Sequence, residues 1–126
     1  MSLARISAAF ILAAALSLTA VAEAGTINSN LQIEAGKTFE LGGGQEGGFV
    51  VTGTNTGPVA VVVLGQREGS APEVRGTVQP GGKIDAKFAA GEMALLRNTS
   101  GQQMARLKLK VTGDTSSLGM TYSANP

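Results

Sequence analysis

A chain of 126 residues with ten basic and nine acidic side chains has a net charge of +1, so it lacks the global field that gathers nucleic acid or acidic lipid. It contains neither Cys nor His, which excludes disulfides, thiolate and imidazole metal sites, cysteine nucleophiles and the commonest general base. The 18 Gly beside a hydrophobic fraction of 43% suit short apolar strands joined by many turns.

Residues 1–24 are expected to be a cleaved signal peptide. Arg5 and the amino terminus form a positive start, Ile6 to Val21 an Ala/Leu-rich apolar run, and Ala22-Glu23-Ala24 a small-x-small cleavage pattern. A retained membrane anchor is the alternative, but Ser7, Ser17 and Thr19 interrupt the run and favour cleavage. Residues 25–126 then form a single exported domain, periplasmic or extracellular, with no membrane insertion after cleavage. About 100 residues suffice for one self-sufficient core.

Alternation at Leu31, Ile33 and Ala35, a turn at Gly36-Lys37, and alternation through Thr38-Phe39-Glu40-Leu41 predict a first hairpin. Gly42 to Gly48 is a mobile glycine-rich connection. No Lys-Ser/Thr and no helical pattern follow it, so a phosphate cradle is not indicated. Phe49 to Thr52 and Pro58 to Leu64 flank the polar tip Thr54-Asn55-Thr56-Gly57, and predict a central hairpin whose second strand is buried on both faces. Glu73 to Val78 is a short strand whose internal Gly76 marks an edge or a bulge. Pro80-Gly81-Gly82 turns the chain into the alternating Ile84, Ala86 and Phe88; Met93 to Leu96 follows, then a second hairpin tip at Asn98-Thr99-Ser100-Gly101.

Ala105, Leu107, Leu109 and Val111 point inward in the clearest amphipathic strand, while Arg106, Lys108 and Lys110 point out. Leu118, Met120 and Tyr122 supply a last strand. No segment after the leader has a 3.6-residue apolar period. The expected fold is therefore an all-β, antiparallel Greek-key (immunoglobulin-like) β-sandwich of about eight strands, with a small closed barrel as the alternative. The strand, Asn-Thr-Gly corner and Val-rich strand around Asn55 resemble the turn pattern of bacterial immunoglobulin-like domains. A faint internal echo links Ile33 to Lys37 with Val78 to Lys83, and Asn55-Thr56-Gly57 with Asn98 to Gly101.

Chemistry is sparse. Ser70, Ser100, Ser116 and Ser117 sit in turns without a base, and no Gly-x-Ser-x-Gly occurs. Asp85, Glu92 and Asp114 show no paired-carboxylate pattern, and no dense Asp/Asn loop suggests a calcium site. No catalytic residue, metal or cofactor is expected. Phe39, Phe49 and Phe88 suit the core, leaving Tyr122 as the exposed aromatic. The candidate site is the row Arg106, Lys108 and Lys110, side chains about 7 Å apart on one strand face, able to follow an anionic polymer. Without interleaved aromatics it is not expected to bind nucleic acid. The expected function is a non-enzymatic exported binding or structural module acting through its surface on an envelope polymer or another protein. The alternative is a self-assembling subunit joined by strand addition, with Gly25 to Asn30 as the donor.

Overall fold

The structure, a computed structural model, describes residues 24–126. The expected leader lies outside the described residues except for Ala24, which opens the first strand. Nine strands follow in order: β1 (Ala24–Ile33), β2 (Lys37–Gly42), β3 (Phe49–Asn55), β4 (Val61–Gln66), β5 (Glu73–Val78), β6 (Lys83–Phe88), β7 (Met93–Asn98), β8 (Ala105–Asp114) and β9 (Met120–Ala124). They form two antiparallel sheets, one ordered β1-β8-β3-β6 and the other β5-β4-β7-β2-β9. The expected all-β sandwich is therefore present among the described residues.

The pairing is not a ladder of local hairpins. β1 pairs with β8, β2 with β7, β3 with β6 and β4 with β5. The chain is thus one long antiparallel ribbon doubled back at the β4–β5 turn and then rolled, so that β8 also meets β3 and β7 also meets β4. β3 and β4 lie in different sheets, so the central hairpin expected at Phe49 to Gly65 is a crossover between sheets. The same correction applies to the hairpins expected at β1–β2 and at Asn98 to Gly101. An immunoglobulin-like order would put the first two strands side by side in one sheet. Here β1 and β2 face each other across the core instead.

The reason is visible at the two corners. Asn55 and Asn98 are 1% and 0% exposed, because each side chain turns into the sandwich and not out to solvent. Asn55 Nδ2 donates to the carbonyls of Val59 and Val78 (2.8 and 3.0 Å), and its Oδ1 accepts from the Gly57 amide (3.0 Å). Asn98 Nδ2 donates to the carbonyls of Gln103 and Ile33 (2.7 and 3.0 Å), and its Oδ1 accepts from the Ser100 amide (2.8 Å). Each Asn thereby satisfies backbone groups that the crossover would leave buried and unpaired.

These corners are equivalent parts of a larger repeat. Advancing β1 to β4 by four and setting β5 to β8 back by four turns the order 1-8-3-6 into 5-4-7-2, which is the second sheet without β9. The Thr56 amide bonds the Arg106 carbonyl on β8, and its counterpart Thr99 bonds the Ala60 carbonyl beside β4. The internal echo in the sequence corresponds to a two-fold relation between half-sandwiches.

Alternating side chains from both sheets fill the space between them. Ile33, Leu41, Phe49, Val61, Leu96 and Leu107 are at most 2% exposed. The rings of Phe49 and Phe88 stack with centroids 5.1 Å apart. At Gly53 the backbone of β3 approaches β8 so closely that an added Cβ would lie 2.1 Å from the Lys108 carbonyl oxygen. The glycine-rich connection after β2 is pinned rather than free. Gln45 is 3% exposed, donates to the carbonyls of Ala89 and Glu92, and accepts from the Gly43 amide.

Candidate binding face and edge cleft

The sheet β1-β8-β3-β6 turns one face to the core and the other to solvent, and register fixes which residues share the outer face. Arg106, Lys108 and Lys110 alternate with buried Ala105, Leu107, Leu109 and Val111, so all three stand exposed on that outer face as expected. Lys108 lies between Asn30 of β1 and Thr54 of β3, and Lys110 between Asn28 and Thr52. Gln32 lies opposite Arg106. Beyond β3, Thr54 faces Lys83, Thr52 faces Asp85 and Val50 faces Lys87 on β6. The basic row is therefore one part of a wider grid, with Lys83 and Lys87 added two strands away, Asp85 between them and Asp114 at the far end of β8.

Lys83, Asp85 and Lys87 are exposed, and among the described residues none of these five cations is in a salt bridge. Two cations about 7 Å apart in water repel by only about 0.6 kcal/mol, so the grid is cheap to maintain. An anion on it would meet Lys or Arg charges separated by Asn, Gln and Thr side chains that also donate hydrogen bonds. The sequence pattern Lys83-x-Asp85-x-Lys87 placed these residues on one strand face, but only the β3–β6 pairing brings them beside β8.

The other residues singled out for chemistry are scattered. Asp85 belongs to the outer face just described. Asp114 ends β8 and accepts from the Gly47 amide at 2.8 Å. Glu92 is 3% exposed and paired with Arg75, the residue that β5 carries as a bulge where the β4–β5 register shifts. Burial alone raises the Glu92 pKa, but the Ala89 amide, the Arg75 guanidinium and the charge of Arg67 outweigh it and hold the carboxyl below its ordinary 4.5. Ser100 accepts from the amides of Gln102 and Gln103 inside its turn. Among the described residues no three acids cluster as metal ligands would. Gly25 to Asn30, the expected donor strand, is paired residue by residue with β8.

Two side openings separate the sheets. Between β5 and β6 the bulged Arg75 fills the gap, donating to the Lys87 carbonyl at 2.7 Å with its guanidinium 5.1 Å from the centre of the Phe88 ring. Between β1 and the β2–β9 edge the gap stays open as a cleft of about 480 Å³. Leu31, Leu109, Val111, Phe39 and Leu41 form its buried floor, and Met120 and Tyr122, half-exposed at 50% and 53%, stand at its mouth. Tyr122 confirms its expected exposure, and its hydroxyl donates across the mouth to the Gln32 carbonyl at 3.1 Å. The pattern Met120-x-Tyr122 was legible; the gap beneath it depends on which strands flank it.

No family model matches the chain, nor does any curated protein or solved structure.

Proposed function

We propose that this protein is an exported, non-enzymatic binding module whose outer β1-β8-β3-β6 face takes anionic polymer of the bacterial envelope. The observation that carries this reading is the grid of Arg106, Lys108, Lys110, Lys83 and Lys87, with Asp85 within it and Asp114 at its end, formed on one face by strand pairing. In a molecule of net charge +1, that concentration leaves the remaining surface slightly acidic, which would orient the chain toward a polyanion. The strand order supports a jelly-roll reading of the sandwich, two Greek keys wound together, in place of the immunoglobulin-like one. Such folds host many functions, so any binding role resides in the face and not in the winding.

Retention on immobilised heparin, a generic polyanion, tests the reading. The protein should bind at 50 mM NaCl, and its affinity should fall at least about tenfold by 200 mM, as expected when several cations release counterions. A Lys108→Glu/Lys110→Glu variant should elute without retention. Passage of the folded wild-type protein through the column at 50 mM NaCl would refute the proposal. Self-assembly by strand addition is the alternative: it requires a second chain on an edge strand, β1, β6, β5 or β9, and a monomer by light scattering at all concentrations removes it.

A further inference from the structure

We infer that the cleft between β1 and β9 holds the hydrocarbon chain of a free, single-chain anionic amphiphile whose head group lies on the adjoining Lys108/Lys110 row. The head-group half of this inference rests on the polyanion reading of that face; the chain half stands on the cleft itself.

Three observations carry it. First, the opening is specific to this side. The half-sandwich relation gives the protein two lateral gaps, and the β5–β6 gap is occupied by Arg75, which caps Phe88 and bonds the Lys87 carbonyl. Among the described residues no side chain fills the β1–β9 gap in the same way, and the Tyr122 hydroxyl bridges it to the Gln32 carbonyl. Its volume of about 480 Å³ falls within the usual range for small-ligand sites.

Second, the chemistry inside is that of a chain site. The floor is formed by buried Leu, Val and Phe side chains of the core, and two of the three large exposed hydrophobic residues among the described ones, Met120 and Tyr122, lie at the mouth. Tyr122 packs on Phe39 at a centroid distance of 5.3 Å, so its ring lines the cleft while its hydroxyl faces the rim. Among the described residues no charged side chain lines the cleft; its polar residues Ser29, Asn30 and Gln32 all lie along β1, and Glu34 and Lys37 stand past Tyr122 beyond its end, so the opposite wall and floor suit a hydrocarbon.

Third, charge is placed for one kind of head group. β1 is the rim of the cleft: Ser29, Asn30, Leu31 and Gln32 all border it, Leu31 is buried, and Asn28, Asn30 and Gln32 are exposed. Lys110, Lys108 and Arg106 lie directly opposite those three on the next strand, about 5 Å away. A molecule whose tail enters beneath Tyr122 can therefore fold its head over β1 within reach of hydrogen bonds from Asn30 and the charge of Lys108. A carboxylate, sulfate or phosphate fits that position; an ammonium head would be repelled. The cleft is bounded, about 480 Å³ between two edge strands, and so suits a free molecule and not a bilayer surface.

The test uses the folded protein and four probes: octanoate, decanoate and dodecanoate below their micelle concentrations, and decanol. Methyl resonances of Leu31, Leu109 and Val111 should shift on titration with each probe. Each added methylene should tighten binding about fourfold, so each two-carbon step gives roughly fifteenfold. Decanoate should bind at least about tenfold more tightly than decanol, and Lys108→Glu/Lys110→Glu should abolish that preference while leaving decanol binding unchanged. Ser29→Trp, which puts an indole into the cleft, should abolish decanoate binding and leave heparin retention intact. Absence of methyl shifts in the wild-type protein overturns the inference whatever the variants do, and heparin retention alongside it would leave the face reading standing. Equal affinity for decanol and decanoate overturns the anionic head, and no dependence on chain length overturns the cleft.

Discussion

Removing the side chain of Asn98 should cost more than almost any other polar truncation in this protein. The side chain is fully buried and makes three hydrogen bonds, to the carbonyls of Ile33 and Gln103 and from the Ser100 amide. In Asn98→Ala, Gln103 is exposed and Ser100 half-buried, so water can replace the bonds of those two at a net loss of about 1 kcal/mol each. Ile33 is 0% exposed, and its carbonyl loses a partner that water does not easily replace, at about 1–3 kcal/mol. With the small cavity left by the amide, the loss comes to about 4 kcal/mol, a large part of the roughly 5–15 kcal/mol that holds a domain together. Urea unfolding followed by circular dichroism should show the midpoint falling by about 2 M. Asn55→Ala should lose a similar amount, since it makes the equivalent three bonds at the other corner. Thr121→Ala serves as the control, because its bond to Glu40 is exposed and its loss should stay within about 0.5 kcal/mol. A midpoint shift below about 0.5 M for Asn98→Ala would refute the argument that these corners hold the crossovers.

Glu92→Gln should lower stability at pH 7, where the ionised carboxylate is paired with Arg75 and bonded by the Ala89 amide. Because the folded pKa lies below 4.5, that stabilisation is present above pH 4.5 and lost as the pH falls through the folded value. The gap between wild type and variant should therefore narrow in urea melts from pH 6 to pH 3, and a constant gap would count against the pairing. Gly53→Ala should destabilise by about 1–3 kcal/mol, since its Cβ would meet the Lys108 carbonyl oxygen at 2.1 Å; an unchanged melting temperature would show that β3 can move away from β8. Phe49→Ala should cost about 3–5 kcal/mol by removing the ring stacked on Phe88, measurable in the same unfolding assay.

How much of this was legible in the sequence depends on which physical quantity a pattern reports. Alternation reports which face a side chain takes. It located β5 at Glu73–Val78, placed Leu107, Leu109 and Val111 inside, and set Arg106, Lys108 and Lys110 outside. Gly76 is expected to mark an edge or a bulge: β5 is an edge strand, and its bulge falls one residue earlier, at Arg75, which is why Val74 is 67% exposed instead of sharing a face with Val78. Alternation does not report the neighbouring strand. A polar Asn-Thr-Gly corner has the same composition whether it closes a hairpin or carries the chain from one sheet to the other, and the difference is the direction of the Asn side chain. The basic row was therefore readable, whereas Lys83 and Lys87 beside it were not, because a distant pairing joins β6 to β3 and β3 to β8. The cleft was out of reach for the same reason. Its walls come from β1, β8, β2 and β9, and no local window contains them.

The rolled ribbon also dictates an order of events in time. Only β4 and β5 are partners that follow one another directly, so that turn is the natural place for ordering to begin and for pairing to spread outward, β3 to β6, β2 to β7. β1 and β2 precede most of the chain yet are completed late, since Ala24 waits for Asp114 and Lys37 for Ala124. Such distant partners make acquisition of the native state slow, because loop closure must precede the contacts that reward it. A chain cut before β8 would leave β1 without its only sheet neighbour and β3 with only β6 beside it. The four-stranded sheet therefore lacks its central strand β8, and the five-stranded sheet its β9 edge, until the last quarter of the chain is available.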